Sequence, residues 1–271
     1  MTAIYVNLPA RGIISVKGTE AADFLQRIIT NDMDLVTDER AIYAALLTPQ
    51  GKYLYDFFVL AWGDGYLLDA NGHQVESLLK RLKMYRLRAD VELADVSEDY
   101  RVLAIYDGTH RPLGGGVFND PRSEKMGQRA ILPAAQELSW GEEGELSSYE
   151  SRRISLVIPN STDDLIPEKS TPLEVNFEEL HAIDFGKGCY VGQEVTARMK
   201  HRATLRKRLL PVSFDGVAPA AGTAIMAGDR EIGRMGSSAG QTGLALLRLD
   251  RLEDGGQPTA DGIVLNVQPY R

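Results

Sequence analysis

"AIYAALLTPQGKYLYDFFVLAW", residues 41–62, sets two apolar runs on either side of four turn-forming residues. "AIYAALL" and "KYLYDFFVLAW" have strand character, and "TPQG" between them is a Pro/Gly turn of hairpin length. The pattern predicts an antiparallel β-hairpin. Asp56 interrupts the second run, where a carboxylate must face solvent or find a partner. Solvent is the simpler expectation.

Outward from the hairpin, "TEAADFLQRIIT" (19–30) reads as a helix that Thr19 can cap, with Phe24, Leu25, Ile28 and Ile29 on one face. "YLLDA" (66–70) is a short strand. A helix follows at about 73–88, where Val75, Leu78, Leu79 and Leu82 keep the i, i+3, i+4, i+7 spacing. "VELADV" and "YRVLAIY" return to strand character. This order predicts an α+β sandwich. Residues 107–146 are rich in Gly, Pro and acids, with one strand expected at "RAILP". The "GGG" in that stretch does not lead a strand into a helix, which excludes a dinucleotide-binding loop. A helix is expected at about 147–157. From about 205, short strands separated by Gly-rich turns suggest a small β-barrel or sandwich.

A chain of 271 residues suits two or three domains, and 44% hydrophobic with 25% charged residues is ordinary soluble composition. The apolar runs fall far short of the ~20 residues of a membrane span. The N-terminus resembles neither a secretory signal nor a transit peptide, so a cytoplasmic address is expected. One cysteine forms no internal disulfide and no metal cage, and the four His make no metal-binding pair. A formal charge of −8 argues against a nucleic-acid partner. The charge is uneven, however: "RMKHRATLRKR" (198–208) holds six Lys/Arg and no acid. Such a segment is either a local anion site or a solvated junction.

The lone Cys189 lies in "KGCYVGQE" (187–194). Lys187 two residues before it, and a helix expected to start just after it, are features that stabilise a thiolate. Gly188 and Gly192 would let the backbone turn sharply or approach a ligand. The bland alternative is a small buried hydrophobe, since free cysteine is among the most buried residue types. In "PLEVNF" (172–177), Glu174 and Asn176 would share one face of a strand. Solvated side chains at a helix entry are the blander reading.

"KGCYVGQE" followed by "VTARMKHR" resembles the signature of the YgfZ-type folate-binding proteins. These belong to the glycine-cleavage T-protein (aminomethyltransferase) superfamily and assist iron–sulfur cluster assembly and repair. "RGIISVKGTEAADFLQRIITNDM", "AALLTPQGKYLYDFFV", "YRLRADV", "RRISLVIP", "PLEVNFEELHAIDFGKGCYVGQEV" and "GLALLRLD" follow in the family's order. The resemblance implies a T-protein-like arrangement of three domains around a central cavity, with ferredoxin-like α/β sandwich portions and a small C-terminal β-barrel. The expected segments are 1–47 with about 120–204, about 48–119, and about 205–271.

The implied cofactor is tetrahydrofolate or a one-carbon derivative. Arg153 matches the position of an arginine that contacts folate. Lys187, Cys189, Gln193 and Glu194 match the motif itself, and Glu174 and Asn176 fall in the matching "PLEVNF" stretch. Arg198, Lys200 and Arg202 would meet the glutamyl tail as charge-assisted donors. In true aminomethyltransferases the hairpin carries paired acids; here Tyr55 stands in the first place and only Asp56 remains. A phenol with pKa near 10 replaces a carboxylate poorly, which counts against aminomethyl transfer. "RRISLVIP" also departs from the family at Ser155 and Val157.

The leading expectation is a folate-binding accessory factor, with iron–sulfur assembly proteins or client enzymes as partners. No metal is held by this chain alone, because common clusters need four ligands, so Cys189 would be a shared ligand. A folate-dependent one-carbon transferase is the second reading, and an RNA-binding module through 198–208 the third.

Overall fold

A computed structural model describes residues 2–108, 116–202, 204–252 and 256–270; the side chain of Arg202 lies outside that description, as do Gly114 and Gly115 of the glycine run. The described residues form three sheets. The first is built around the expected hairpin, β3 (Ile42–Leu47) with β4 (Tyr53–Trp62). It continues through β5 (Gly65–Asn71), β2 (Arg11–Lys17) and β6 (Glu92–Asp95) in the order β3-β4-β5-β2-β6, antiparallel throughout.

Helices α1 (Ala21–Ile28) and α2 (Val75–Arg86) cover one face of this sheet. Helix α1 buries Ala21, Phe24, Leu25 and Ile28, the stripe its spacing dictates, against Ile14, Leu46 and Phe57. Each large apolar side chain so buried contributes about 1.5–3 kcal/mol. Thr19 does not cap α1; its hydroxyl donates to Asp90, and Glu20 takes the N-cap position with its carboxylate turned to the Asp90 amide instead of the helix.

The second sheet has the order β10-β1-β7-β9-β8: β10 (Glu142–Glu143), β1 (Ile4–Asn7), β7 (Tyr100–Tyr106), β9 (Gln128–Pro133) and β8 (Gly116–Asn119). Beyond it lie α3 (Leu146–Ser155) and α4 (Gln193–Arg202). The third sheet is a nearly closed seven-strand barrel. Its strands are β11 (Lys207–Ser213), β12 (Ala224–Ala227), β13 (Arg230–Ala239), β14 (Thr242–Arg248), β15 (Pro258–Ala260), β16 (Ile263–Val264) and β17 (Asn266–Val267). Short α5 (Leu249–Leu252) follows β14.

The boundary expected at 47/48 falls inside the β3–β4 hairpin, whose six Cα pairings hold both strands in one sheet. A second correction concerns "PLEVNF", which forms a 3-10 turn over Pro172–Val175 instead of a strand. Pro172 starts the turn and Asn176 ends it in the left-handed conformation, at φ 63°.

The hairpin sheet is buried on both faces, which explains its continuous apolar runs. One face meets α1 and α2. The other carries Tyr43, Tyr53 and Phe58 into a core shared with Phe177 and Phe118. Tyr43 and Tyr53 each meet the Phe177 ring edge-on, at 5.7 and 6.0 Å between centroids.

Candidate functional site

A cavity of about 150 Å³ opens between the first sheet, α3 and the 159–162 loop, lined by Leu8, Pro9, Arg11, Asp56, Arg122, Tyr149 and Arg153 among others. Asp56 is only 5% exposed, contrary to the expectation of solvent. The cause is the second sheet and the 172–185 segment, which close over this face; a register shift at Leu46/Leu47 turns Tyr53 onto the same face. Its carboxylate accepts from Tyr53 Oη at 2.7 Å and Tyr43 Oη at 2.9 Å. Burial, reinforced by the Asp56 charge, holds both phenols protonated well above their ordinary range. Tyr55 packs on the helix-covered face, so the acid that lines the cavity is Asp56.

Around Asp56 runs a buried ionic chain that sequence reading missed. Arg11 Nε meets Asp69 Oδ1 at 2.6 Å, and a guanidinium nitrogen of Arg129 meets Asp69 Oδ2 at 2.6 Å. Arg122 clasps Asp120 at 2.7 and 2.9 Å. The guanidinium carbons of Arg129 and Arg122 lie 4.2 and 4.8 Å from the centroid of Phe58, cation over ring. Both arginines donate to Tyr149 Oη at 3.3 Å. Burial alone would raise the Tyr149 pKa, but the two guanidiniums outweigh it and the phenol is pulled below its usual value. The available signal was complementary charge inside apolar strands: Asp69 in "YLLDA" and Arg129 in "QRAILP".

Arg153 lines the same cavity, and its donors are spent within the protein. It binds Glu150, the carbonyl of Ile158 at 3.1 Å, Asp164 at 3.3 Å and Ser237 Oγ at 3.0 Å. Asp164 accepts in turn from the backbone N–H of Ser237 at 2.7 Å, so the pair ties α3 to the barrel. Burial keeps the Asp164 pKa above the ordinary carboxylate value despite Arg153.

The "KGCYVGQE" residues lie elsewhere. Lys187 is buried, and its ammonium donates to the carbonyls of Gln26, Ile29 and Asn31 at 2.9, 2.8 and 2.6 Å, at the end of α1. All three protons thus have acceptors, while burial still lowers its pKa to about 8. The preceding chain is stitched to the same stretch. Asn31 Nδ2 donates to the carbonyl of His181, Thr30 Oγ1 to that of Ala182, and Asp184 N–H to that of Thr30. Gly192, at φ 85°, brings its backbone so close to the hairpin turn that a Cβ would lie 2.6 Å from the Thr48 carbonyl. Gly188 has no such constraint; a Cβ there would meet nothing within 4 Å. Between these anchored points Cys189 is exposed.

The remaining expected site residues whose side chains are described do not join the cavity. Asn176 is buried, donating to the Leu209 carbonyl at 3.0 Å and accepting from Arg208 Nε at 2.9 Å. Glu174 is half-buried in its 3-10 turn. Gln193 Nε2 makes a long, 3.5 Å contact to the Lys187 carbonyl. Glu194 pairs with Arg198 on the exposed side of α4, at 2.6 Å. Lys200 pairs with Glu178, and Arg208 with Glu179. Three of the six cations of the basic segment are thus paired with neighbouring acids. Among the described residues, no three His, Cys, Asp or Glu side chains gather as a metal site, and no helix is long and apolar enough to cross a membrane.

The chain matches two family models: the GCVT N-terminal domain over residues 5–108 and the CAF17 C-terminal beta-barrel domain over 206–270. It is 32% identical over 282 residues to the human mitochondrial iron-sulfur cluster assembly factor IBA57, covering 91% of this chain and 78% of that protein. The Mycosarcoma maydis IBA57 homolog, also mitochondrial, is 34% identical over 226 residues, covering 76% of this chain and 56% of the relative. A crystal structure of the glycine cleavage system aminomethyltransferase T from Bartonella henselae superposes with a TM-score of 0.77 at 16% identity, covering 99% of this chain and 85% of that one. That likeness shows a shared fold. The mitochondrial relatives overturn the expected cytoplasmic address and point to a mitochondrial one.

Proposed function

The chain belongs to the IBA57 family of iron–sulfur cluster assembly factors, and from that premise we propose that it works as a folate-assisted one. In this reading a reduced folate binds at the central cavity and Cys189 engages a partner-held cluster. The likeness to YgfZ-type folate-binding proteins supports the same assignment.

The cavity residues suit the polar ring of a folate. Asp56 uses two of its carboxylate's roughly four acceptor positions on Tyr43 and Tyr53, leaving capacity for ligand N–H groups. Leu8, Pro9, Leu146 and Pro159 give apolar walls. The volume of about 150 Å³ is below the ~300 Å³ of whole small-molecule pockets, so it would enclose one end of the ligand. A reduced folate supplies an electron-rich ring able to carry a one-carbon unit. The chain's own contribution is orientation: the two phenols hold Asp56, and the Arg122–Tyr149–Arg129 group fixes the wall beside it.

The observation that carries the cluster role is Cys189, an exposed thiol on a segment pinned at Lys187 and Gly192. The cluster is cargo, and one thiol supplies one of its ligands; the others come from a partner or a small thiol. Calorimetry with tetrahydrofolate on wild type and Asp56→Asn tests the first half, with binding expected only for wild type. Cluster transfer to an acceptor apoprotein by wild type and Cys189→Ala tests the second. Transfer unimpaired in Cys189→Ala would sink the thiol role.

A one-carbon transferase remains the second reading, favoured by the presence of Asp56 at the cavity wall. Turnover of an aminomethyl donor with tetrahydrofolate would distinguish it.

A further inference from the structure

The outer face of the barrel carries a basic pocket of about 290 Å³ that neither the cavity nor the thiol uses. Along β11, β14 and β13, Lys207 stands opposite Arg248, and Arg234 opposite Leu246. Residues 246 and 248 share a face of β14, so these side chains project together. That face is the continuation of the one on which Leu209 and Leu244 pack against Ile154 and Val157. Arg251 of α5 completes the rim, and Glu231 is the one carboxylate among the residues lining it.

Two of these cations are poorly compensated among the described residues. Lys207 and Arg248 are like charges directly across a strand pair, an unfavourable placement. Arg248 is answered by Asp250 at 2.7 Å, but no hydrogen bond or ion pair of Lys207 is present. Arg234 is half-buried, and its Nε is sealed from solvent with no hydrogen-bond partner. One of its terminal nitrogens reaches only the Asp164 carbonyl, at a long 3.4 Å. Burial weakens its hold on its proton. A half-buried guanidinium that feels the Asp164 charge but makes no ion pair with it, beside three further cations, is a preformed half of an ion pair.

We propose that this pocket binds a small polyanion, a ligand bearing adjacent phosphate or carboxylate groups. Arg234 would supply directed N–H donors from the pocket floor, while Lys207 and Arg248 would close on the second charge from the rim. The site is independent of the folate reading, since it needs neither Asp56 nor the cavity.

The test is calorimetry on the full chain, without folate, using inorganic pyrophosphate and tri-γ-glutamate as probes at low salt. One equivalent of at least one probe is expected to bind, and the tighter probe identifies phosphate or carboxylate as the ligand group. Arg234→Gln should weaken it about tenfold or more, and Lys207→Gln, an exposed change that leaves folding intact, should weaken it measurably. Lys83→Gln on α2 should leave it unchanged, and added salt should weaken wild type. Absence of binding by either probe, or equal binding by wild type, Arg234→Gln and Lys207→Gln, overturns the proposal.

Discussion

Lys187 Nζ lies 2.6 Å from the carbonyl oxygen of Asn31, although 156 residues separate them in the chain. This contact fixes the base of the segment that carries Cys189. Its titration has a definite sign. Unfolded, a lysine holds its proton to about pH 10.4; here burial lowers the pKa to about 8. Between these values the unfolded chain binds more protons, so this residue's contribution to stability rises with pH. Melting temperatures of wild type relative to Lys187→Met should therefore climb from about pH 8 to 10. A flat difference would mean that the three carbonyls hold the proton against burial.

The two glycines of the Cys189 segment should respond in opposite ways. Gly192→Ala forces a side chain into a left-handed backbone and against the Thr48 carbonyl, at a cost of about 1–3 kcal/mol. Gly188→Ala meets open space and should shift stability by less than about 0.5 kcal/mol. Urea denaturation checks both. If Gly188→Ala nonetheless slows cluster transfer, the bare backbone serves a partner's approach.

Asp164→Ala removes the acceptor that Arg153 and Ser237 share, leaving the buried Arg153 paired with Glu150 alone and the Ser237 amide without its acceptor. The expected loss is about 1–3 kcal/mol in chemical denaturation.

Tyr149 should ionise below the ordinary tyrosine value, because Arg122 and Arg129 both donate to its oxygen and outweigh its burial. Ultraviolet titration should show one early phenolate, absent in Tyr149→Phe. Tyr43 and Tyr53 should titrate late, held up by burial and by Asp56.

Local patterning carried the hairpin and the helices. The apolar spacing of Phe24, Leu25 and Ile28 gave α1 within two residues at each end, and Val75, Leu78 and Leu82 placed α2. The site was harder because its residues meet through long-range contacts. Asp56 looked solvent-facing since nothing near it in sequence announces the second sheet that covers it. Arg122 emerges from a loop-rich stretch with no periodicity, and beyond its neighbour Asp120 its partners Phe58 and Tyr149 come from two distant segments. The pairing within the basic run 198–208 was hidden for a related reason: Glu178, Glu179 and Glu194, which answer Lys200, Arg208 and Arg198, precede it in the chain. Cys189 was legible as a motif, and its exposure followed from folding alone.

The seat of Asp164 on the barrel has a consequence for modular exchange. Its carboxylate fits against β13 only because position 236 is glycine; a Cβ there would lie 2.1 Å from Asp164 Oδ1. A barrel transplanted from a relative with any other residue at that position would push the carboxylate off the Ser237 amide and weaken its hold on Arg153. The graft would then dock at a different angle. The compatibility of the two halves in a chimera thus depends on an absent side chain.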